Sequence, residues 1–254
     1  DRGYRARIAP RPGEHAFRIM MGETDLFVTA RAEPAAPLPP GPDGHPFPDL
    51  QAALAARVHA LRGDLTAYIQ FHPDFLHSFD PVPVPDSAPD LVRRMARAAA
   101  ACGVGPMAAV AGAIAQAAAE PFLAASPDLL VENGGDLFLA STRPRTVALL
   151  AEPDSGARLG LNLPARAFPL ALCSSSGRIG HSTSLGTGDL VTVRSPDAAL
   201  ADAAATALAN LLHSARDLPA VVRHAQTLPG LSAVFAQCDG QIAAWGDLEL
   251  VVME

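Results

Sequence analysis

The chain has 254 residues, of which 49% are hydrophobic and 18% are charged, and its formal net charge is −7. This globular balance suits one large domain or two small ones, and the absence of a basic block argues against nucleic acid or an anionic membrane as the main partner. All 19 basic side chains are arginine, so the chain can form neither a lysine Schiff base nor a P-loop with its lysine.

Three cysteines, Cys102, Cys173 and Cys238, are far apart in the sequence and form no C-x-x-C pair. This argues against a zinc ribbon or a redox pair, and the sparse count indicates a reducing compartment, so we expect a cytoplasmic protein. The uncharged stretch 98–119 consists mostly of alanine and glycine and is broken at Gly103–Pro106. It predicts two buried helices joined by a glycine loop rather than a membrane span.

The N-terminal half predicts strands first and helices afterwards. YRARIAP looks like a strand, and FRIMM and LFVTA predict a hairpin through a turn at Gly22–Asp25. A proline-rich loop covers 34–48, and apolar residues at helical spacing then predict a helix from Asp49, its N-cap, to about Ile69. After a second proline-rich loop, further helices are expected near 90–102 and 107–124.

The C-terminal half is rich in short apolar runs separated by turn residues. These runs predict strands at LLVEN, DLFLA, TVALLAE, LGLNL, FPLALCSS and DLVTVRS. Ser195 as N-cap, Pro196 at the first helical position and Asp197 in the first turn predict the start of the helix ALADAAATALANLL. A short helix near 219–226 and the strands LSAVFAQ and QIAAWG follow. The pattern predicts a single α+β domain over 1–254, with antiparallel sheets and grouped helices.

The segment VENGGDLFL, 131–139, interrupts an apolar run with two glycines and an acid. Glycine permits positive φ and close approach of another group to the backbone. Two interpretations stay open, namely a tight hairpin turn and a ligand lying against the backbone with Asp136 beside it.

Asp202 and Thr206 are four residues apart, so they share one face of the predicted helix. A carboxylate and a hydroxyl on one face suit a hard cation such as Mg²⁺, which takes few protein ligands and completes its shell with waters and phosphates. The alternative is that Asp202 is a surface acid and that Thr206 bonds back to a helix carbonyl.

Residues 173–189, CSSSGRIGHSTSLGTGD, crowd glycine, serine and threonine between two predicted strands. Backbone N–H groups and hydroxyls of such a loop can hold an anion. His181 is either an acid, base or ligand donor in this loop or an ordinary loop histidine. Cys173 or Ser174–Ser176 as a nucleophile with His181 as base is a further alternative, although no G-x-S-x-G motif is present.

Two more segments have competing interpretations. GVGPMAAVAGAIA, 103–115, leads from a glycine turn into a helix, which either binds phosphate at its N-terminus or packs closely against a sheet. HPDFLHSFDP, 72–81, contains two histidines and two aspartates, but their spacing fits no common metal motif. We interpret it as a structured loop.

Six segments, in this order, resemble the uncharacterised prokaryotic family related to ApbE: GETDL, YIQFHPDFLHSFDP, GVGPMAAVAGAIA, VENGGDLFL, SSSGRIGHSTSLG and LADAAATALAN. The resemblance spans roughly Gly22 to Asn210. ApbE is the FAD:protein FMN transferase, which uses Mg²⁺ and FAD to attach FMN to a threonine or serine of a target protein. The resemblance implies its α+β fold, with antiparallel sheet units related to the T-fold.

The resemblance also carries over individual residues. ADAAATAL is similar to the ADALATAL of ApbE, whose Asp and Thr bind the metal, which implies Asp202 and Thr206 as metal ligands. GVGPMAA is similar to a segment whose backbone carbonyl helps to hold that metal. The lysine of that segment is missing here, where Ala108 and Ala109 are nearest, and GHSTSLG stands in the region of the H-I-x-D-P of ApbE. These departures keep a nucleotide pocket and argue against flavin transfer.

We therefore expect a Mg²⁺-assisted pocket for a flavin, FAD or FMN, or another small phosphate-bearing ligand. Its catalytic candidates are Asp136 and His181, and a homodimer is the candidate assembly, with no nucleic-acid or membrane partner. The expected ligand-binding residues are Gly105, Met107, Ala108, Asn133, Gly134, Gly135, Ser175, Ser176, Gly177 and Arg178, the last replacing the missing lysine in part. The alternatives are a non-catalytic binding protein and a cysteine- or serine-dependent hydrolase that uses His181.

Overall fold

The computed structural model describes residues 5, 10–31, 37–41, 44–149, 158–177 and 187–253. The strands of this part of the chain are β1 (His15–Met21), β2 (Thr24–Arg31), β3 (Asp128–Asn133), β4 (Asp136–Ala140), β5 (Arg145–Leu149), β6 (Arg158–Leu163), β7 (Leu170–Ser175), β8 (Leu190–Ser195), β9 (Ala233–Cys238), β10 (Gln241–Gly246) and β11 (Leu250–Met253). Within the described residues, eight of them form one antiparallel sheet in the order β1-β2-β3-β4-β7-β8-β9-β10, and three form a second sheet in the order β11-β6-β5.

The helices lie mainly between β2 and β3 and after β8. They are α1 (Leu50–Phe71), α2 (Asp74–His77), α3 (Asp90–Cys102), α4 (Val110–Ala119), α5 (Ala198–Asn210) and α6 (Leu218–Thr227). A short 3₁₀ turn, Pro106–Ala109, leads directly into α4. Mixed helix and antiparallel sheet confirm the predicted α+β class.

The inner strands of the eight-stranded sheet are buried on both faces. Successive side chains of a strand point to opposite faces. Val131, Phe138 and Ala171 belong to the core shared with the helices, whereas Leu139 and Leu172 pack with the three-stranded sheet. The helix-facing side of the large sheet is therefore the side on which residues of α4 and α5 meet residues of the strands.

Several local predictions are confirmed. The β1–β2 hairpin pairs Met21 with Thr24, so its turn is Gly22–Glu23. Asp49 caps α1, since its side chain accepts a hydrogen bond of 2.8 Å from the Ala52 N–H. The helices α3 and α6 and the strands expected between β3 and β10 form where the patterns placed them, within a few residues.

The start of α5 corrects one prediction. Asp197, not Ser195, is the N-cap, because its carboxylate accepts the Leu200 N–H. Ser195 ends β8 instead, and its hydroxyl donates to the Gly230 carbonyl. The Ser195 hydroxyl also accepts the Asp197 N–H at 3.1 Å, and the Asp197 carboxylate caps the first turn of the helix.

One strand was not predicted, and one predicted strand lies mostly outside the described residues. Strand β11 was not predicted, because LVVM is an apolar run of only four residues. Of the expected strand YRARIAP, Arg5 lies in a 3₁₀ turn, and the rest falls almost entirely outside the described residues.

The segments Asp90–Cys102 and Pro106–Phe122 form the two helical pieces expected around the glycine loop. Gly103 ends α3 in the left-handed conformation with φ of 67°. In the described part of the chain, no single helix has the length and apolar composition needed to cross a membrane. These two pieces meet that criterion only as a pair, which is bent by 106°.

A buried cluster of ion pairs ties the start of β1 to β2, β3 and the β4–β5 connection. We call it the arginine network, and its members are Glu14, Arg31, Asp128, Arg143 and Arg145. The Asp128 carboxylate accepts a hydrogen bond of 2.6 Å from Arg31, and the Arg143 guanidinium lies 3.2 Å from Glu14. Ser141 and Thr142 donate further hydrogen bonds to Asp128. Each buried carboxylate of the network therefore faces arginine.

Candidate functional site

Polar side chains collect at one end of the helix-facing side of the large sheet. Asn133 ends β3 and pairs with Asp136, which begins β4. The register of β4 with β7 pairs Leu137 with Leu172, so one step further Asp136 stands opposite Cys173. All three side chains are buried. Because neighbouring strands run antiparallel, the end of one strand and the start of the next meet at the same edge.

The double glycine is the turn of the β3–β4 hairpin. Gly134 has φ of 72° and Gly135 has φ of 115°, and two-residue hairpin turns of type I′ need positive φ at both central residues. A Cβ added at Gly135 would meet no atom within 4 Å. The turn interpretation is therefore confirmed, and the space beside Gly135 is compatible with the approach of a ligand.

Glu132 was missed by the sequence analysis, although it fixes this turn. Its carboxylate accepts the Gly135 N–H at 2.9 Å and the Arg5 Nε–H at 2.6 Å. Arg5 also donates to the side chain and the carbonyl of Asp25 in β2. Arg5 is 127 residues away from Glu132, so no local pattern signals the pair.

Asp136 is only 7% exposed and accepts a hydrogen bond of 3.1 Å from the Ser174 N–H. Burial raises the pKa of Asp136 to about 7, and the Glu132 charge adds to the rise, against the hydrogen bonds from Ser174 and Cys173 that lower it. Burial favours the neutral form of a carboxylic acid. This acid is therefore poised to hold a proton or to face a cation.

Asp202 and Thr206 lie on one buried face of α5, each 8% exposed. The Asp202 carboxylate accepts the Gly112 N–H at 2.9 Å, at the start of α4. A Cβ at Gly112 would lie 2.2 Å from the Ala198 carbonyl oxygen, so the close crossing of α4 and α5 requires glycine. Asp202 is consequently not a surface acid. Among the described residues, the Thr206 hydroxyl makes no hydrogen bond, so it does not bond back to its helix.

We call Asp136, Asp202 and Thr206 the acid pocket. Burial raises the pKa of Asp202 well above its ordinary value, and the negative charge of Asp136 raises it further, against the N–H groups of Gly112 and Ala111. None of the ion pairs between described residues includes either aspartate. Two buried acids that repel each other without an arginine between them need a proton or a cation.

Cys173 and the adjacent serines do not have the features of an activated nucleophile. The Cys173 side chain is fully buried, with its sulfur 3.6 Å from the Ala198 carbonyl oxygen. Burial raises the pKa of the Cys173 thiol, and the charges of Asp136 and Asp202 raise it further, so the reactive thiolate is suppressed. The Ser174 hydroxyl is engaged with Thr192 at 2.8 Å.

Several other predicted residues lie at the ends of β3 and β7 and in the turn before α4. Ser175 is buried beside the acid pocket on the same face of β7 as Cys173, and its hydroxyl has no hydrogen-bond partner in the described part of the chain. Asn133 holds the Ala111 carbonyl oxygen at 3.1 Å. Met107 and Ala108 pack against the helical core in the turn before α4.

Other predicted residues have contacts of their own or lie outside the described part of the chain. Gly105 lies against Ser78, and Ser176 and Gly177 follow β7, where the Gly177 N–H donates to the Gly188 carbonyl. His181 and Arg178 lie outside the described residues, and their roles remain predictions. So does the convergence of all predicted residues on one cleft.

The donor set of the acid pocket fits a hard divalent cation. Two carboxylates and a hydroxyl supply only oxygen, which is what Mg²⁺ prefers. Among the described residues, no group of three or more His, Cys, Asp or Glu side chains forms a metal site, and the loop at 72–81 forms none either. The pocket would thus leave most positions around a cation to water and phosphate oxygens.

A surface cavity lies away from these residues. It has a volume of about 380 Å³ and lies between α1 and the β1–β2 hairpin. Arg62, one of its lining residues, donates to Thr24 and pairs with the exposed Glu23. No predicted site residue lines this cavity. The charge of Arg62 in its wall is already paired within the fold.

Comparison with known proteins identifies a matching family and several similar proteins. A family model described as AbpE bacteria matches residues 6–232. A UPF0280 protein of Methanocella arvoryzae is 39% identical over 196 residues, which cover 77% of this chain and 80% of that protein. A UPF0280 protein of Methanopyrus kandleri is 39% identical over 213 residues, covering 83% of this chain and 79% of that protein.

Solved structures share the fold. The apo form of the Pseudomonas stutzeri flavinyl transferase ApbE matches with a TM-score of 0.58 and 14% identity, covering 91% of this chain and 93% of that chain. The expected ApbE-like α+β fold is confirmed by this similarity of architecture.

Proposed function

Because the chain belongs to the family described as AbpE bacteria, together with the UPF0280 proteins, we propose that it binds a flavin nucleotide or a similar phosphate-bearing ligand with Mg²⁺ at the acid pocket. The observation that carries the proposal is the pair of buried aspartates, Asp136 and Asp202, which lack a cationic partner among the described residues. Proteins rarely keep two such acids together unless a proton or a metal occupies the space between them.

Asp202 would hold the cation from α5, and Thr206 would add its hydroxyl one helical turn further on. Asp136 would face them from the start of β4. When bound, Mg²⁺ would offset the negative charge that develops on pyrophosphate oxygens. The Ser175 hydroxyl, which has no hydrogen-bond partner in the described part of the chain, would bind phosphate oxygens together with Ser176 at the end of β7.

Binding, rather than flavin transfer, is the activity that we propose. A pyrophosphate transition state gains negative charge that a fixed cation normally offsets, and this chain has no lysine. Arg178 would supply that charge in part. FAD should accordingly be cleaved slowly or not at all, and FMN transfer should be undetectable. The burial and raised pKa of the Cys173 thiol argue against the hydrolase alternative.

The test is a titration of FAD, followed by flavin fluorescence, with and without Mg²⁺. Asp202→Asn should weaken the Mg²⁺-dependent affinity at least about tenfold, which is about 1.4 kcal/mol. Thr206→Val should weaken it less, because no charge is lost. Asp197→Asn is the matched control, since Asp197 is exposed at the cap of the same helix and asparagine also caps well.

Equal Mg²⁺-dependent affinity in all of these proteins would refute the acid pocket as the metal site. The same incubation with a threonine- or serine-bearing acceptor peptide separates binder from enzyme. Covalent FMN on the peptide would make the protein a working transferase and overturn the binding proposal. AMP release that Asp202→Asn abolishes would instead indicate a metal-dependent hydrolase.

A further inference from the structure

Asn133 is a buried residue at the end of β3 that makes contacts toward both aspartates of the acid pocket. Its backbone pairs with that of Asp136 at the start of β4. Its side-chain amide donates to the Ala111 carbonyl oxygen of α4 at 3.1 Å. A buried amide is costly unless it is hydrogen-bonded, so this contact fixes the side chain. Asn133 therefore joins the β3–β4 hairpin, which carries Asp136, to the start of α4.

The peptide group that Asn133 binds is the same one that binds Asp202. The Ala111 carbonyl and the Gly112 N–H belong to one peptide group, and this N–H donates to the Asp202 Oδ2 atom at 2.9 Å. Because a peptide group is planar, fixing its carbonyl also fixes the direction of its N–H. Successive hydrogen bonds also polarise one another, which strengthens the N–H as a donor. Asn133 thus acts on the Asp202 carboxylate through a single peptide group.

The backbone at this peptide group has little room to shift. A Cβ at Gly112 would lie 2.2 Å from the Ala198 carbonyl oxygen and 2.9 Å from the Asp202 Cβ, so α4 and α5 are in close contact here. The start of α4 is thereby fixed to β3 by the Asn133 amide and to α5 by the glycine contact. Together these contacts set the position of Asp202 relative to the hairpin that carries Asp136.

The rigidity of an oxygen site affects which hard cation it prefers. Mg²⁺ requires nearly ideal octahedral geometry at about 2.0–2.1 Å and keeps several waters, whereas Ca²⁺ takes more ligands in flexible geometry at about 2.3–2.6 Å. Groups that hold a metal ligand by hydrogen bonds change metal affinity by about 10- to 100-fold when they are removed. Three protein oxygens on a fixed framework therefore suit Mg²⁺, and loosening the framework removes that advantage.

We propose that Asn133 is a positioning residue that holds Asp202 through the Ala111–Gly112 peptide group and so makes the acid pocket selective for Mg²⁺ over Ca²⁺. This inference rests on the proposed function and assigns the cation specificity of the same site to a residue that acts through a metal ligand.

The first measurement needs no metal. Hydrogen exchange of the Gly112 N–H, followed by NMR, should be about fivefold or more faster in Asn133→Leu, because leucine has the same branching and lacks the donor. The Ala118 N–H in the same helix is the internal reference, since a general loss of stability would speed the exchange of both amides equally. Asn162→Leu is the matched control, because Asn162 lies on β6 in the second sheet and should change neither rate.

The second measurement compares the two ions. Protein mixed with FAD is titrated with MgCl₂ or CaCl₂, and binding is followed by flavin fluorescence. The wild type and Asn162→Leu should bind Mg²⁺ more tightly, and Asn133→Leu should lower the ratio of Mg²⁺ to Ca²⁺ affinity about fivefold or more. Asn133→Asp, a second variant of nearly unchanged shape, also loses the donor and should lower the ratio too. Its added charge attracts both ions and cancels in the ratio.

Each contrary outcome overturns a distinct part of the inference. An unchanged exchange rate of the Gly112 N–H in Asn133→Leu would show that Asn133 does not hold the peptide group, and it would leave the proposed function intact. Faster exchange with an unchanged affinity ratio would overturn the role in cation selectivity, as would a wild type that prefers Ca²⁺. A wild-type protein in which neither ion promotes FAD binding would overturn this inference together with the proposed function.

Discussion

The arginine network and the acid pocket each bury two carboxylates, yet their surroundings shift the pKa values of these carboxylates in opposite directions. In the network, burial alone would raise the pKa of Asp128, but hydrogen bonds from Thr142, Ser141 and Arg31 lower it far below its ordinary value. The pKa of Glu14 is lowered in the same way, against burial, by its hydrogen bond from Arg145. In the pocket, burial prevails, and the pKa values of Asp136 and Asp202 rise.

The difference separates a structural cluster from a candidate binding site. A buried charge that the protein neutralises itself contributes to folding, whereas a buried charge without a partner costs stability until something else neutralises it. The carboxylates of the network are therefore neutralised within the fold, whereas we propose that a ligand neutralises those of the acid pocket. The following changes break or sharpen this contrast, beginning with the largest effect.

Asp128→Ala should lower the free energy of unfolding by about 3–5 kcal/mol, because it leaves the buried Arg145 without one of its partners. Urea denaturation measures the loss. Asp90→Ala is the control, since Asp90 is 56% exposed and its ion pairs with Arg93 and Arg94 should be worth about 1 kcal/mol or less. A loss of similar small size for Asp128→Ala would show that the network is not structural.

Asp136→Asn should change the pH dependence of stability in the metal-free protein. The folded-state pKa of Asp136, about 7, lies above its ordinary value of 3.8, so the folded state holds a proton that the unfolded state has released. This stabilisation is complete below about pH 4 and is lost as the pH rises to about 7.

Over that interval, wild-type stability should fall relative to Asp136→Asn by on the order of 3 kcal/mol. Urea unfolding of both proteins at several pH values measures the difference, in which the shifts of the acids outside the acid pocket cancel. Parallel stability curves for the two proteins would contradict a raised pKa. For Asp128, with its lowered pKa, the dependence has the opposite sign, and stability is lost as the pH falls.

Two buried hydroxyls, each 8% exposed, give the smallest and most closely matched contrast. Ser141→Ala should cost about 1–3 kcal/mol, because it removes hydrogen bonds to Asp128 and Arg145. Thr206→Val should change stability by less than about 0.5 kcal/mol or raise it slightly, because no partner among the described residues is lost. Thermal unfolding of the ligand-free proteins compares them, and equal losses would show that the Thr206 hydroxyl has a structural role.

Local patterns predicted much of the fold. Apolar periodicity and an acidic cap located α1, and alternation with turn residues located most strands. The error at Ser195 arose because three adjacent residues each have cap or first-turn character, and only the end of β8 decides between them. Strand β11 is an apolar run of only four residues, which is too short for periodicity to identify a strand.

The site was predicted only in part. The spacing of Asp202 and Thr206 placed them on one helix face, which the structure has. The burial of that face, the contact of Asp202 with Gly112 and the role of Glu132 depend on pairings across 90 and 127 residues. Such contacts are set by the packing of α4 on α5 and by the N-terminal segment, and no local pattern of the sequence contains them.

The central claim is that the acid pocket is completed by a divalent cation. The most direct measurement is the gain in free energy of unfolding when Mg²⁺ is added to protein that already contains pyrophosphate. At a hundred times the dissociation constant the gain should be about 2.7 kcal/mol in the wild type and in Asp197→Asn, and it should be absent in Asp202→Asn. A gain that persists in Asp202→Asn, or no gain in the wild type, would contradict the account.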